Sequence, residues 1–278
     1  MPKTVGPWKL GEALGTGGQG AVYRATRGEG TLAAVKVIRL SQSKKRVRFI
    51  NELKIHARLS DKGASNVIPV LDHNLEELSS SQSVDRGYIA MPIAACSLQD
   101  RYQLYALRTE FCLETFLGIV AGIRNAHQEG AIHRDIKPAN VLFLDESLKE
   151  PLVSDFGICF LKETGVAERV TEQNETVGAR FFMAPEQERG GITDVAESAD
   201  IYALGKLFHF MITSRRLYRE EVAKAFLEQE LEQDQRLKMV RDELLMRMVV
   251  EDPVKMLQSA NEVLKIAIDL SVSFRRRQ

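Results

Sequence analysis

An α+β architecture of two unequal lobes, a small strand-rich one followed by a larger, mainly helical one, is what this sequence predicts. Three observations carry that prediction. The first ninety residues read mostly as short, partly β-branched runs separated by Gly- or Ser-containing turns, the pattern of antiparallel strands. After about Ala95 the apolar spacing changes to the 3.6-residue period of helices with one buried face. At 278 residues, 44% hydrophobic and 27% charged, the chain can bury a full core as one large domain or two modest ones, and its composition excludes disordered, collagen-like and coiled-coil classes.

Taken in order, Val5–Leu14, Ala21–Thr26, Leu32–Leu40, Val67–His73 and Tyr88–Met91 are expected strands. One helix interrupts them from about Lys44 to Leu59, where Val47, Ile50, Leu53 and Ala57 recur at helical spacing. Ser79-Ser80-Ser81-Gln82-Ser83 reads as a polar hairpin tip with no packing content. The lobes join near Met91–Ala95, so the division falls at residues 1–94 and 95–278. In Arg108–Glu129 the residues Leu113, Phe116, Leu117, Val120 and Ile123 form one apolar stripe, and Gly130 stands where a C-cap belongs. Ala199–Thr213 is apolar nearly all round, which places it at the centre of its lobe. Glu220–Val250 carries further amphipathic helix, and short strands are expected at Val141–Leu144 and Pro151–Val153.

The 38 Lys+Arg and 38 Asp+Glu cancel, so no global field draws nucleic acid or an anionic membrane. Three cysteines (Cys96, Cys112, Cys159), an odd number with no C-x-x-C spacing, indicate a reducing, cytoplasmic setting. The N-terminus has no secretion-signal apolar run, and Pro2 excludes a myristoyl acceptor. The longest apolar stretch, Ile201–Ile212, is broken by Lys206 and His209 and is shorter than the ~20 residues of a bilayer span. No membrane segment is expected within this chain, and Arg275–Arg277 read as a solvated basic tail.

Chemistry concentrates in a few places. Leu14-Gly15-Thr16-Gly17-Gly18-Gln19-Gly20-Ala21-Val22 contains G-x-G-x-x-G, whose missing Cβ atoms let backbone amides approach a polyphosphate. Ala21–Ala25 continues as strand, so the context is a strand-turn-strand flap rather than the strand-glycines-helix order of a dinucleotide fold. Lys36 lies within the apolar run Ala33–Ile38. Such a lysine either snorkels to an edge or is held by anions, because burying an unpaired ammonium costs several kcal/mol, and Glu52 on the following helix is the natural counter-ion. Further on come His133-Arg134-Asp135-Ile136-Lys137-Pro138-Ala139-Asn140, Ser154-Asp155-Phe156-Gly157 and Ala184-Pro185-Glu186.

With these motifs in this order, the chain resembles the eukaryotic-type (Hanks-type) protein Ser/Thr kinases over nearly its whole length. The resemblance implies a bilobal protein-kinase fold, with the two lobes together forming one domain, and ATP and Mg²⁺ as cofactors. It implies that Asp155 and Asn140 hold the metal, and that Lys36, oriented by Glu52, holds the α- and β-phosphates. Asp135 takes the acceptor proton, and Lys137 neutralises the moving γ-phosphoryl group. Lys137 also points to serine or threonine acceptors on protein substrates. By the same carry-over Leu14, Gly15, Gly17 and Gly20 cover the nucleotide, Val22 and Ala34 lie above the adenine and Leu142 below it. Pro92–Ala94 form the hinge and Met91 aligns with the gatekeeper. Cys96, just past the hinge, reads as an inert small hydrophobe. His127, His133 and Asp200 match packing and hydrogen-bonding positions rather than catalytic ones.

Arg134 resembles the arginine that meets a phosphate on the activation segment, here Asp155–Glu186, and autophosphorylation is expected at Thr171 or Thr176, with Thr164 further off and Glu175 a partial stand-in. Two positions depart from the family. Ala179 replaces a hydroxyl residue that bridges Asp135 and Lys137, and Met256 stands where an arginine pairs with Glu186, leaving Lys255 or Arg241 as partners. Glu186-Gln187 with Arg189-Gly190 looks like the bacterial members. Two other classes stay open: a kinase-like nucleotide-binding module with weak or no catalysis, and a small-molecule phosphotransferase sharing the Asp-x-x-x-x-Asn loop.

Overall fold

The computed structural model describes residues 4–17, 20–81, 83–156, 160–161, 181–188, 196–216, 234–250 and 256–276. Six strands form one antiparallel sheet in the order β1-β2-β3-β4-β6-β5: β1 Thr4–Val5, β2 Trp8–Gly17, β3 Gly20–Arg27, β4 Thr31–Arg39, β5 Asp72–His73 and β6 Arg86–Met91. Period-two alternation sorts the side chains of β4. Ala33 and Val35 join Trp8, Ala25, Tyr88 and Ala90 in one apolar cluster, while Ala34 and Lys36 line a cleft on the other side. Register does the rest: Lys36 lies opposite Val22 of β3 and Ile89 of β6, and Ala34 opposite Met91.

Helix α1, Ser43–Asp61, packs Phe49 and Leu53 against Leu40, Leu78 and Ile89. Close approach demands glycine on the facing strand, since a Cβ at Gly87 would lie 1.9 Å from Phe49 Cε1. Gly20 opens β3 at φ +121°, a conformation that glycine adopts without penalty.

The expected strand Val67–His73 shrinks to Asp72–His73. Its first half pairs elsewhere: Ile68 N–H donates to Val153 O (3.0 Å) and Val153 N–H to Asn66 O (2.8 Å), while Pro69 has no N–H to give a ladder. The expected hairpin tip differs as well. Ser79 and Ser80 close a short helix, α2 (Leu75–Ser80), with Glu76 and Glu77 in its first turn and Leu78 buried, so the connection does pack.

Beyond Met91 come β7 (Cys96–Ser97) and α3 (Leu98–Arg101), which starts on a reciprocal capping box between Ser97 and Asp100. Helix α4, Thr109–Gln128, buries Leu113, Phe116, Val120 and Ile123, with Gly130 beyond its end at φ +73°. Strands β9 (Val141–Phe143) and β10 (Leu152–Val153) pair antiparallel and β7 joins them, while β8 (Ala131–Ile132) pairs with β11 (Phe160–Leu161). The central helix Glu197–Thr213 is buried on every side from Ser198 to Ile212. Of the expected helix Glu220–Val250, the helical described part is Gln235–Val240, a π-helical turn Arg241–Leu245 and Met246–Met248; residues 220–233 lie outside the described residues. The last helix, Ala260–Arg275, is capped by Ser259 and takes in Arg275, so the expected basic tail begins inside a helix. Among the described residues no helix is long and apolar enough to cross a membrane.

Two buried histidines sit in these cores, His56 on α1 and His209 on the central helix, and burial holds each imidazole down to about 4. In the unfolded chain each titrates near 6.5. Between those values the unfolded state binds the extra protons, so stability is fully present above about pH 6.5 and falls as pH drops, by up to about 3 kcal/mol per histidine at pH 4. Urea midpoints are expected to decline from pH 7 to pH 5.5, and a His209→Gln variant to decline less steeply; a flat profile in the parent contradicts this account.

Candidate active site

Between the sheet and the helical part lies a cleft of about 780 Å³, lined from the small-lobe side by β2, β3, β4 and α1 and from the other by residues 135–142 and 154–155. Lys36 is 7% exposed and reaches no edge. Its Nζ donates to Glu52 Oε1 at 2.5 Å and to Asp155 Oδ1 at 2.8 Å, so anions hold it at both ends. Burial alone pulls the ammonium pKa down, but Asp155 and Glu52 together outweigh it and the net shift is upward. Burial likewise pushes Asp155 up, yet Lys36 dominates and holds it down at about 2. The Glu52 carboxyl is pushed up by burial, with Lys36 opposing. The proton therefore resides on Lys36, and Asp155 stays an anion across the accessible pH range.

The loop after β8 supplies the opposite wall. Pro138–Asn140 form a 3₁₀ turn that folds Asn140 back, and its Nδ2 donates to Asp135 O (2.8 Å) and Asp135 Oδ2 (3.0 Å). Lys137 Nζ donates to the same Asp135 Oδ2 at 2.7 Å. Ser154 ties this loop to the end of β10, its N–H and hydroxyl both donating to Asn140 O (2.9 and 3.1 Å). Five-residue spacing thus becomes contact because a turn that starts on proline reverses the chain.

One end of the cleft is lined by apolar side chains. Val22 and Ala34 lie on the sheet side, Leu142 on the other, and Met91, Pro92 and Ala94 follow β6 along its back. Pro92 has no N–H, so the polar group of its peptide unit is a carbonyl acceptor. Leu14, Gly15, Gly17 and Gly20 roof the cleft, and a Cβ built on Gly15 or Gly17 meets nothing within 4 Å. The sixteen residues expected to hold nucleotide or metal or to act in transfer, from Leu14 to Asp155, all line this one cleft.

Support comes from beneath. Asp200 of the central helix is fully buried and accepts the N–H groups of His133 and Arg134 at 2.8 Å each, plus His127 Nε2 at 2.8 Å. Those bonds fix a strained backbone at Arg134, φ +67°; Asp155 also lies in the left-handed region, φ +64°. Phe156 is buried between the rings of His133 (5.0 Å) and His56 (5.2 Å), which turns Asp155 toward Lys36. Cys96 is 8% exposed, and burial pushes its thiol up, away from the reactive thiolate.

Sequence reasoning missed Gln187. Its Oε1 accepts from Ala184 N–H (3.2 Å) and its Nε2 donates to Arg134 O (3.3 Å), which joins the Ala-Pro-Glu turn to the loop carrying Asp135. Met256 is buried in the large apolar cluster, and Glu186 has no partner among the described residues. Arg241 is bidentate to Asp242 instead. Thr164, Thr171, Glu175, Thr176, Ala179 and Lys255 lie outside the described residues, as do Cys159 and Gly157.

The family model for the protein kinase domain matches residues 8–275. The chain is 35% identical over 212 residues to the DNA damage-responsive serine/threonine-protein kinase RqkA of Deinococcus radiodurans, covering 73% of this chain and 29% of that protein. It is 30% identical over 229 residues to the probable serine/threonine-protein kinase PknB of Bifidobacterium longum, 79% of this chain and 32% of that protein. Over 215 residues it is 31% identical to the cysteine-rich receptor-like protein kinase 45 of Arabidopsis thaliana, 74% of this chain and 57% of that one. The chain belongs to the protein kinase domain family. It spans about a third of the length of the bacterial relatives.

Replacing Asp200 by Ala strands three donors in the core. Asp200→Ala is expected to lower unfolding free energy by about 3 kcal/mol or more, because each buried group left unpaired costs about 1–3 kcal/mol. Chemical denaturation measures it, and a loss under about 1 kcal/mol contradicts the supporting role.

Proposed function

We propose that this domain transfers the γ-phosphoryl group of ATP to serine or threonine hydroxyls of proteins, as a protein serine/threonine kinase. The observation that carries the reading is the convergence of Lys36 and Glu52, from the sheet and α1, with Asp135, Lys137, Asn140 and Asp155, from the opposite wall, in one cleft. Six chemically competent groups from both walls meet beneath a roof that Gly15, Gly17 and Gly20 keep open. The names of the relatives point the same way.

The donor set suits magnesium, a hard ion that takes oxygen ligands and keeps several waters. Asp155 offers an ionised carboxylate and Asn140 an amide whose Nδ2 is turned to Asp135, leaving its oxygen as the donor for a metal. Among the described residues no group of three or more His, Cys, Asp or Glu could cage an ion. Asp155 and Asn140 would hold the ion, which would supply neutralisation of charge on the phosphate oxygens.

The chain's own groups do the remainder. Lys36, held by Glu52, positions the α- and β-phosphates through a cation whose charge Asp155 also compensates. Val22, Ala34 and Leu142 exclude water from the base, and Pro92 and Ala94 offer it backbone groups. The Asp135 carboxylate orients the acceptor hydroxyl and receives its proton as the new O–P bond forms and the bond to the leaving β-phosphate oxygen breaks. Lys137, 2.7 Å from Asp135 Oδ2, neutralises charge on the phosphoryl group in flight. Partners are a protein substrate and the chain itself, at Thr171 or Thr176, and the setting is cytoplasmic; residues 1–94 and 95–278 act as the two lobes of one domain. Neither nucleic acid nor a membrane enters this reading.

Incubation with labelled ATP and Mg²⁺ is expected to label the protein and a mixed Ser/Thr peptide library. Asp135→Asn is expected to lower the rate about 10²–10⁴-fold, the range for loss of a general base. Label persisting in that variant overturns the chemistry, and transfer to sugar or aminoglycoside acceptors alone moves the domain to the small-molecule class. Chelation by EDTA is expected to stop transfer, and undiminished transfer contradicts the metal assignment.

A further inference from the structure

Helix α1 carries Glu52, and its N-terminal half is poorly stabilised by its own sequence. Gln42 at the N-cap makes no side-chain cap bond, and the first turn holds no acidic residue. Lys45, Arg46 and Arg48 instead put cations near the positive end of the helix dipole. The C-terminal end is tied down: Arg58 Nη2 donates to Glu129 O (2.7 Å) and Lys62 Nζ to Glu129 Oε1 (2.6 Å).

What holds the other end is Arg46, 6% exposed. Its Nη1 donates to Val84 O (2.7 Å) and its Nη2 to Leu78 O (2.7 Å) and to Ser81 O. Leu78 and Ser81 stand at the C-terminal end of α2, where helical carbonyls lack intrahelical donors and the dipole is negative. A buried guanidinium whose acceptors among the described residues are all backbone carbonyls is set by the fold of the connection between β5 and β6. The same contact brings Leu78 onto Phe49 and Leu53, and Leu53 adjoins Glu52.

We propose that Arg46 is a positioning residue for the Lys36–Glu52 pair: by capping the C-terminal end of α2 it holds the N-terminal half of α1, and with it Glu52, against Lys36. The proposal rests on the kinase reading of the cleft. Removing the cap frees the helix to turn away from the sheet, and the buried ammonium then loses one of its two anions. The connection from α2 to β6 thereby becomes a lever on the active site although it touches no part of the cleft.

A double-mutant cycle tests the coupling. Arg46→Met keeps the apolar stem and is expected to lower kcat about tenfold in the parent and less than about twofold in a Glu52→Gln background, because residues acting through one contact are not additive. An equal fall in both backgrounds means a general loss of structure and overturns the proposal. Arg46→Lys keeps one cation without the planar fork and is expected to fall between. Hydrogen exchange read on the same variants is independent of catalysis. Amides of residues 46–53 are expected to exchange faster while those of α4 do not change, and unchanged exchange in α1 overturns the proposal. Absence of phosphoryl transfer by the parent refutes the kinase reading instead, and leaves the exchange result to decide on Arg46.

Discussion

A single ammonium group decides how this chain must fold. Lys36 sits in the middle of a sheet strand, and left alone in that position it would cost several kcal/mol in desolvation. Glu52 and Asp155 remove the penalty, but they come from a helix inserted after the strand and from a segment more than a hundred residues downstream. Satisfying one charge therefore closes the sheet, α1 and the loop after β10 around a common point. The cleft is the space that this closure leaves.

The opposite wall obeys a similar logic with the roles exchanged. Here a buried carboxylate, Asp200, meets two backbone N–H groups and the His127 ring: burial pushes its pKa up, but the His127 hydrogen bond and the neighbouring donors outweigh that and the net shift is downward. The left-handed conformation of Arg134 is unfavourable for a residue with a Cβ and persists because these bonds over-determine it. Its consequence is geometric: Asp135 points into the cleft, where Lys137 and Asn140 reach the same carboxylate oxygen. A rigid helix, apolar all round, is what makes such placement reproducible.

Much of this was legible in the sequence because it is local or periodic. The strand of Lys36, the stripe of α4 and the all-round burial of the central helix follow from spacing alone, and the reactive residues sit in short ordered motifs. What escaped depends on distant partners. Val67–Val70 has strand composition, yet Pro69 denies it a ladder and Val153 claims its neighbour's N–H. The serine run looked like a bare turn because nothing local announces that Arg46 will cap α2 from another helix. The helix Ala260–Arg275 was within reach, since Ser259 and Glu262 spell a capping box and Val263, Ala267, Leu270 and Phe274 keep helical spacing.

Gln187 raises a different point, about how one anchoring device substitutes for another. An ion pair between Glu186 and a buried arginine would demand that both charges be desolvated together, and exchanging such a pair for apolar packing is often neutral or stabilising. Here the arginine position is Met256, packed into the core, and Glu186 stays half-buried without a partner among the described residues. Rigidity of the Ala-Pro-Glu turn has to come from elsewhere, and the neighbouring amide provides it by accepting from Ala184 and donating to Arg134 in one step. Neutral hydrogen bonds hold direction without a field of their own. The turn is thereby tied to the backbone that aims Asp135 rather than to a more remote helix, and any shift of the turn is transmitted to Asp135.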